Sequence, residues 1–300
     1  MTTAVLLSCH GTVDRLDDLP AFISNIRRGR PASPELLEEV RRRFEAIGGS
    51  PLMRITQAQA DALAARLGLP VAIAGRLWRP YPAEVLASLH ARGARRVVSL
   101  PLAPQSVDIY NAVVRDAAAK LGDLELRCVP AWGLEPALID AFVEVIDETL
   151  ARFPEEGRAK VAVILSAHSL PQRIIDAGDQ YEVQFRGMAA EVERRIAPRG
   201  NPVFVAFQSQ GMTGDAWIGP DLRSTFDTLA ERGLRDVMIA PIGFVADHVE
   251  TLYDLDVEAI VLAREAGLAR MERAPAVNTR PRFIDALEAL VRRELDVVAP

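Results

Sequence analysis

The 300-residue chain predicts an α/β protein of two Rossmann-like lobes, each a parallel sheet flanked by helices, with a ligand cleft between them. Three observations carry this expectation. Strand-like and helix-like runs alternate along the whole length, one βα unit is echoed internally, and each half has a histidine just after its opening strand.

Strand-like runs fall at 5–7, 71–73, 97–100, 161–165, 203–206 and 237–240. They are short, apolar and mostly β-branched, which suits strands covered on both faces of a parallel sheet. Amphipathic helix-like runs lie between them, at 34–47, 57–67, 82–92, 136–153, 181–197 and 222–232. Such alternation gives right-handed βαβ units in a doubly wound sheet.

The echo is more informative than the alternation. Leu89-His-Ala-Arg-Gly93 leads into Val97-Val-Ser-Leu-Pro101, and Leu229-Ala-Glu-Arg-Gly233 leads into Val237-Met-Ile-Ala-Pro241. In both, a glycine stands where a helix ends, a position that favours positive φ. A second echo pairs the strand before Cys9-His10-Gly11-Thr12 with the strand before Ala167-His168-Ser169-Leu170. Two echoes in the same order predict lobes at 1–153 and 154–280, divided at the turn-rich Phe153-Pro-Glu-Glu-Gly157. A helix at 281–300 is expected to pack back on the first lobe. Open parallel sheets bind ligands beyond the carboxyl ends of their strands, so facing lobes would bring His10 and His168 into one cleft.

A net charge of −6 argues against nucleic acid as a partner. The basic run Ile26-Arg27-Arg28-Gly29-Arg30 is either a solvated turn or a clamp for carboxylates, which arginine grips bidentately. Two cysteines, Cys9 and Cys128, can build neither a disulfide framework nor a four-cysteine iron–sulfur cluster, and they fit a reducing compartment. The N-terminal residues lack the pattern of a signal peptide, and no window approaches 18 apolar residues. A cytoplasmic monomer without a transmembrane segment is therefore expected.

The chain has four histidines: His10, His90, His168 and His248. His90 sits in an amphipathic run and reads as a surface side chain. The echo puts His168 at the cleft, where an imidazole can take a proton or ligate a metal. A second dense signal is the segment from Gly243 to Glu258, in which Glu250, Asp254 and Glu258 recur every four residues. On an α-helix they would share an arc of about 80°. Like charges at that spacing repel. The ladder is thus either a solvated acidic face or a place where a hydrated cation or a shared proton relieves the repulsion. With no zinc motif, Walker loop or dinucleotide fingerprint present, neither a closed structural metal site nor nucleotide binding is expected.

Seven segments, in order, resemble the ferrochelatases across nearly the full length. They are Ile26-Arg-Arg-Gly29, Phe44-Glu-Ala-Ile-Gly-Gly-Ser-Pro-Leu52, Ser166-Ala-His-Ser-Leu-Pro171, Gly178-Asp-Gln-Tyr181, Phe207-Gln-Ser-Gln210, Trp217-Ile-Gly-Pro220 and Pro241-Ile-Gly-Phe-Val-Ala-Asp-His-Val-Glu-Thr-Leu-Tyr-Asp254. The resemblance implies a metal-inserting lyase of haem biosynthesis that places Fe2+ in a porphyrin held between two Rossmann-like lobes. Iron and porphyrin are then substrates, and no cofactor is permanently bound. It implies that His168 is the active-site histidine, that Glu250 is its acidic partner, and that both can touch the metal. Asp254 and Glu258 fall on the family's outer acidic path, and Arg27, Arg43 and Ser50 fall where the family holds porphyrin propionates.

Two departures from the family pattern bear on substrate and metal. His10 stands where short members of the family often carry a tyrosine that reaches the metal, which gives it a metal-proximal role. The segment 21–48 lacks the long apolar lip of membrane-associated members and resembles the coproporphyrin-dependent branch, so coproporphyrin III is favoured over protoporphyrin IX. Two other readings stand beside this one. A sirohydrochlorin-type cobalt or iron chelatase would share the histidine but not the Gly243–Asp254 segment. A non-catalytic tetrapyrrole- or metal-binding protein would bind porphyrin without metallating it.

Overall fold

Each of the six apolar runs read from the sequence forms a strand, and among the described residues these and two further strands build two four-stranded parallel sheets of the same topology. The structure, a computed structural model, describes residues 2–210 and 216–296.

The first unit takes in Met1–Trp132 and Asn278–Pro300. Its elements are β1 (Thr2–Cys9), α1 (Leu19–Ile26), α2 (Pro34–Ala46), α3 (Leu52–Leu67), β2 (Val71–Gly75), α4 (Pro82–Ala91), β3 (Ala94–Pro101), α5 (Val107–Ala118) and β4 (Glu125–Cys128). The sheet order is β2-β1-β3-β4. Leu6, Leu86, Val97 and Val114 pack between the sheet and its helices, all fully buried. Each such side chain stabilises the unit by about 1.5–3 kcal/mol.

The second unit is Gly133–Val277. It contains α6 (Pro136–Leu150), β5 (Ala162–His168), α7 (Gln172–Asp176), α8 (Tyr181–Ile196), β6 (Val203–Gln208), α9 (Leu222–Glu231), β7 (Asp236–Ala240), α10 (Val249–Tyr253), α11 (Ala259–Glu265) and β8 (Arg270–Arg273). Its sheet order, β6-β5-β7-β8, repeats the first with every strand in the corresponding place. Ile164, Phe226, Val237 and Leu255 form the centre of its core. The echoed segments occupy equivalent positions: Gly93 links α4 to β3, and Gly233 links α9 to β7.

One boundary differs from expectation, and the C-terminal helix packs where it was expected. The division falls between Trp132 and Gly133 rather than at Phe153–Gly157, because α6 packs on α8 and β7 and so belongs to the second unit. The helix after that unit, α12 (Pro281–Asp296), packs on α3 and β3 of the first. Its buried face carries Phe283, Ile284, Leu287 and Val291, and Phe283 stacks on Trp132.

At the ends of β1 and β2 a close backbone approach demands glycine. A Cβ on Gly75 would overlap the Trp78 carbonyl, and one on Gly11 (φ +85) would lie 2.9 Å from Trp78 N. Two hydrogen bonds, from Arg76 N to Cys9 O and from Leu77 N to His10 O, both 2.9 Å, then fix where His10 leaves the sheet.

Candidate active site

The second unit gathers its chemistry at the carboxyl ends of β5, β6 and β7, where the topology exposes strand ends to ligands. His168 is the last residue of β5. After β7 the chain turns back so closely that Gly243 N donates to Ser166 O at 3.0 Å. A Cβ on Gly243 would lie 2.5 Å from Ala167 Cβ and 2.8 Å from its Cα. Gly243→Ala should therefore push β5 aside just before His168. The expected result is a loss of about 1–3 kcal/mol in urea unfolding, the usual cost of overpacking, together with reduced turnover. Unchanged stability would contradict the close packing.

The turn then starts α10. His248 is its N-cap residue, and His248 N donates to Thr251 Oγ1 at 2.9 Å. Buried Asp247 accepts from Thr251 Oγ1 (3.2 Å), Arg273 Nη1 (2.9 Å) and Ala276 N (3.3 Å). With the first turn held this way, Glu250 Oε2 lies 3.0 Å from His168 Nδ1. Although the separation is that of a hydrogen bond, Nδ1 has no aligned partner, so the contact is a close charge pairing set off the N–H direction. A third of each side chain is exposed.

Burial is the largest influence on His168 and pushes its pKa down, but the Glu250 carboxylate, with Asp254 behind it, outweighs burial and the net shift is upward. For Glu250 burial again opposes ionisation, and His168, aided by His248, overcomes it and holds the carboxyl well below its usual range. The pair thus favours imidazolium and carboxylate. A ligand that needs a neutral imidazole must first displace a proton. Tyr181 buttresses the strand end, its hydroxyl donating to His168 O at 2.9 Å; burial, then the nearby Glu250 charge, raise its pKa.

His248 joins the pair, with Nε2 at 3.8 Å from Glu250 Oε2, Nδ1 3.2 Å from Ala246 O and its ring 4.8 Å from that of Phe244. Sequence reasoning assigns it no role. The signal that could have found it is its place two residues before Glu250, where a helix begins.

The acidic ladder does not lie on one α-helix. Asp254–Glu258 form a π-helical turn between α10 and α11, a distortion that recurs at functional sites. Asp254 is buried and accepts from the Ser209 hydroxyl, which rules out a fully solvated acidic face there. Ser209 is itself left-handed (φ +61), a strained conformation for a non-glycine residue. Asp254 and Glu258 line a cavity of about 150 Å³ that also touches Ser209 and Arg223. Glu250 therefore faces His168, while the other two carboxylates share the adjacent cavity.

The remaining candidates lie in the first unit. His10 follows β1 and meets Phe22 edge-on at 6.5 Å. Arg27 caps the end of α1 with its Nε buried and unpaired, whereas Arg28 and Arg30 of the same run are exposed. Arg43, in the last turn of α2, pairs with Glu39 at 2.7 Å. Ser50 lies just before α3 with a buried, unpaired Oγ. Among the described residues no cluster of three or more His, Cys, Asp or Glu is arranged to hold a metal ion. No helix among them is long and apolar enough to cross a membrane.

Comparison with known proteins gives a consistent result. The ferrochelatase family model matches residues 2–295. A coproporphyrin III ferrochelatase of Bacillus pumilus is 37% identical, with 97% of each chain covered. A ferrochelatase of Herpetosiphon aurantiacus is 36% identical, covering 96% of this chain and 98% of its own. Among solved structures, SirB from Bacillus subtilis with Fe3+ superposes with a TM-score of 0.63 at 15% identity, over 99% of this chain and 96% of its own. CbiX, the terminal enzyme of sirohaem synthesis in denitrifying bacteria, gives 0.59 at 15% identity, covering 98% and 99%. At that identity the likeness is one of fold.

Proposed function

Because the chain belongs to the ferrochelatase family, an enzyme family, we propose that it inserts ferrous iron into coproporphyrin III, with His168 and Glu250 as the reacting pair. The observation that carries this assignment is the half-open contact between His168 Nδ1 and Glu250 Oε2 at 3.0 Å.

Iron insertion forms four Fe–N bonds and releases two pyrrole protons. A neutral imidazole is a suitable proton acceptor near pH 7. Imidazole and carboxylate are also exchangeable ligands for ferrous iron, so the pair can pass the metal on rather than retain it. Asp254 and Glu258 supply further carboxylates along the adjacent cavity. Arg27, Arg43 and Ser50 are assigned to the propionates, and the orphaned Arg27 Nε and Ser50 Oγ are donors in want of such acceptors. His10 is assigned a metal-proximal role. Iron enters as a substrate, and the reading requires no resident cofactor.

Coproporphyrin III is preferred because it carries four propionates and because several of the similar ferrochelatases bear its name. Anaerobic metallation with ferrous iron tests the choice against protoporphyrin IX and sirohydrochlorin. The expected result is the highest kcat/KM with coproporphyrin III. A higher value for protoporphyrin IX would overturn the substrate assignment, and turnover of sirohydrochlorin alone would overturn the reaction class.

A further inference from the structure

We propose that Gln208 is a positioning residue for the His168–Glu250 pair, holding β5 through Ser166 and α10 through the Glu250 backbone; this rests on the functional reading above.

Gln208 closes β6 and is buried, 3% exposed. Its Oε1 accepts from Ser166 Oγ at 2.9 Å, and its Nε2 donates to Glu250 O at 3.3 Å. The Glu250 carbonyl can only accept, so it fixes which way the amide points. The backbone oxygen of Gln208 also accepts from Ser169 N at 2.7 Å. One residue therefore bonds to the chain on both sides of His168 and to the residue that carries the opposing carboxylate. The buried amide finds partners only in this arrangement, and leaving them unmade is costly.

The first unit provides an internal control. In β1 and β2, Ser8 pairs with Ala74 and Cys9 with Gly75; in β5 and β6, Ser166 pairs with Ala206 and Ala167 with Phe207. Ser8 and Ser166 thus hold the same place in the same topology, and Arg76 stands where Gln208 does. Yet Ser8 Oγ, equally buried, has no hydrogen-bond partner among the described residues. The sheet does not itself require that serine to be paired. The Ser166–Gln208 bond occurs in the unit that also builds the His–Glu contact.

Gln208→Met keeps length and volume while deleting both side-chain bonds. We expect kcat to fall roughly tenfold, the scale of an unpaired buried group or a slight misplacement, with the KM for porphyrin within about twofold. At one fixed pH, the ring 15N resonances of His168, assigned with His168→Ala, should move. Leu229→Ala, a cavity in the same unit's core away from this site, should lower the Tm yet leave kcat and those resonances as in the wild type. Should Gln208→Met fail to fold, Ser166→Ala removes only the hydroxyl donor and should shift the same readouts in the same direction. Wild-type resonances and kcat in the folded variant, or an equal kcat loss in Leu229→Ala, would overturn the proposal. The resonances need no turnover, so an inactive wild type would count against the functional reading and leave the role of Gln208 still decided by them.

Discussion

His168→Ala should lower iron insertion by roughly 10²–10⁴-fold, the range over which a positioned acid–base group contributes, while the protein remains folded. The side chain is the only imidazole at the end of β5, and Glu250 meets it at 3.0 Å. Removing it deletes the proposed proton acceptor and nitrogen ligand, and no neighbour on that strand replaces either. Folding should survive because a third of the side chain is already exposed and the strand before it is anchored by Val163, Ile164 and Leu165, all fully buried. Anaerobic initial rates and circular dichroism on the same preparation decide the matter. Activity within threefold of wild type would remove His168 from the mechanism.

Glu250→Gln should cost about 10²-fold, whereas Glu258→Gln should stay within about fivefold, the scale of one partly solvated charge. Glu250 touches the imidazole; Glu258 lines the cavity beside it. The pH profile separates charge from mere contact. On the proposed mechanism insertion needs neutral His168, and the folded protein raises the pKa of that group, so the rate should climb as pH rises through an inflection above the usual imidazole value. In Glu250→Gln the attracting charge is gone while burial, which acts downward, remains. The inflection should then move to lower pH even though the plateau is reduced. An unmoved inflection would show that the carboxylate does not govern the imidazole, and equal small losses in both variants would remove Glu250 from the proposed mechanism.

Much of this was legible in the residues because buried strands and repeated turns leave strong patterns. Among the described residues, six of the eight strands are apolar runs. The two that escape, Glu125–Cys128 and Arg270–Arg273, are edge strands whose charges pair across the surface, as Arg96 does with Glu125 and Arg270 with Glu272. Charges on these two edges guard against edge-to-edge pairing, whereas the opposite edges, β2 and β6, are apolar runs. The π turn was invisible because a four-residue acidic spacing reads equally well on an unbroken α-helix. Residues His168 and Glu250 were found by echo and by family resemblance. Gln208 and His248 were not, since their roles depend on which strand ends lie side by side, and no local periodicity encodes that.

The packing of α12 sets the order of synthesis against the order of assembly. Every residue of the second unit leaves the ribosome before Phe283, Ile284, Leu287 and Val291 become available to cover α3 and β3. The nascent second unit can complete its own core while the first still presents an apolar face to the cell. For that interval the older half of the polypeptide is the vulnerable one, exposed to chaperones and proteases. Its closure by α12 also forms the Arg66–Asp285 pairing and the hydrogen bond from Arg127 Nη1 to Glu294 O.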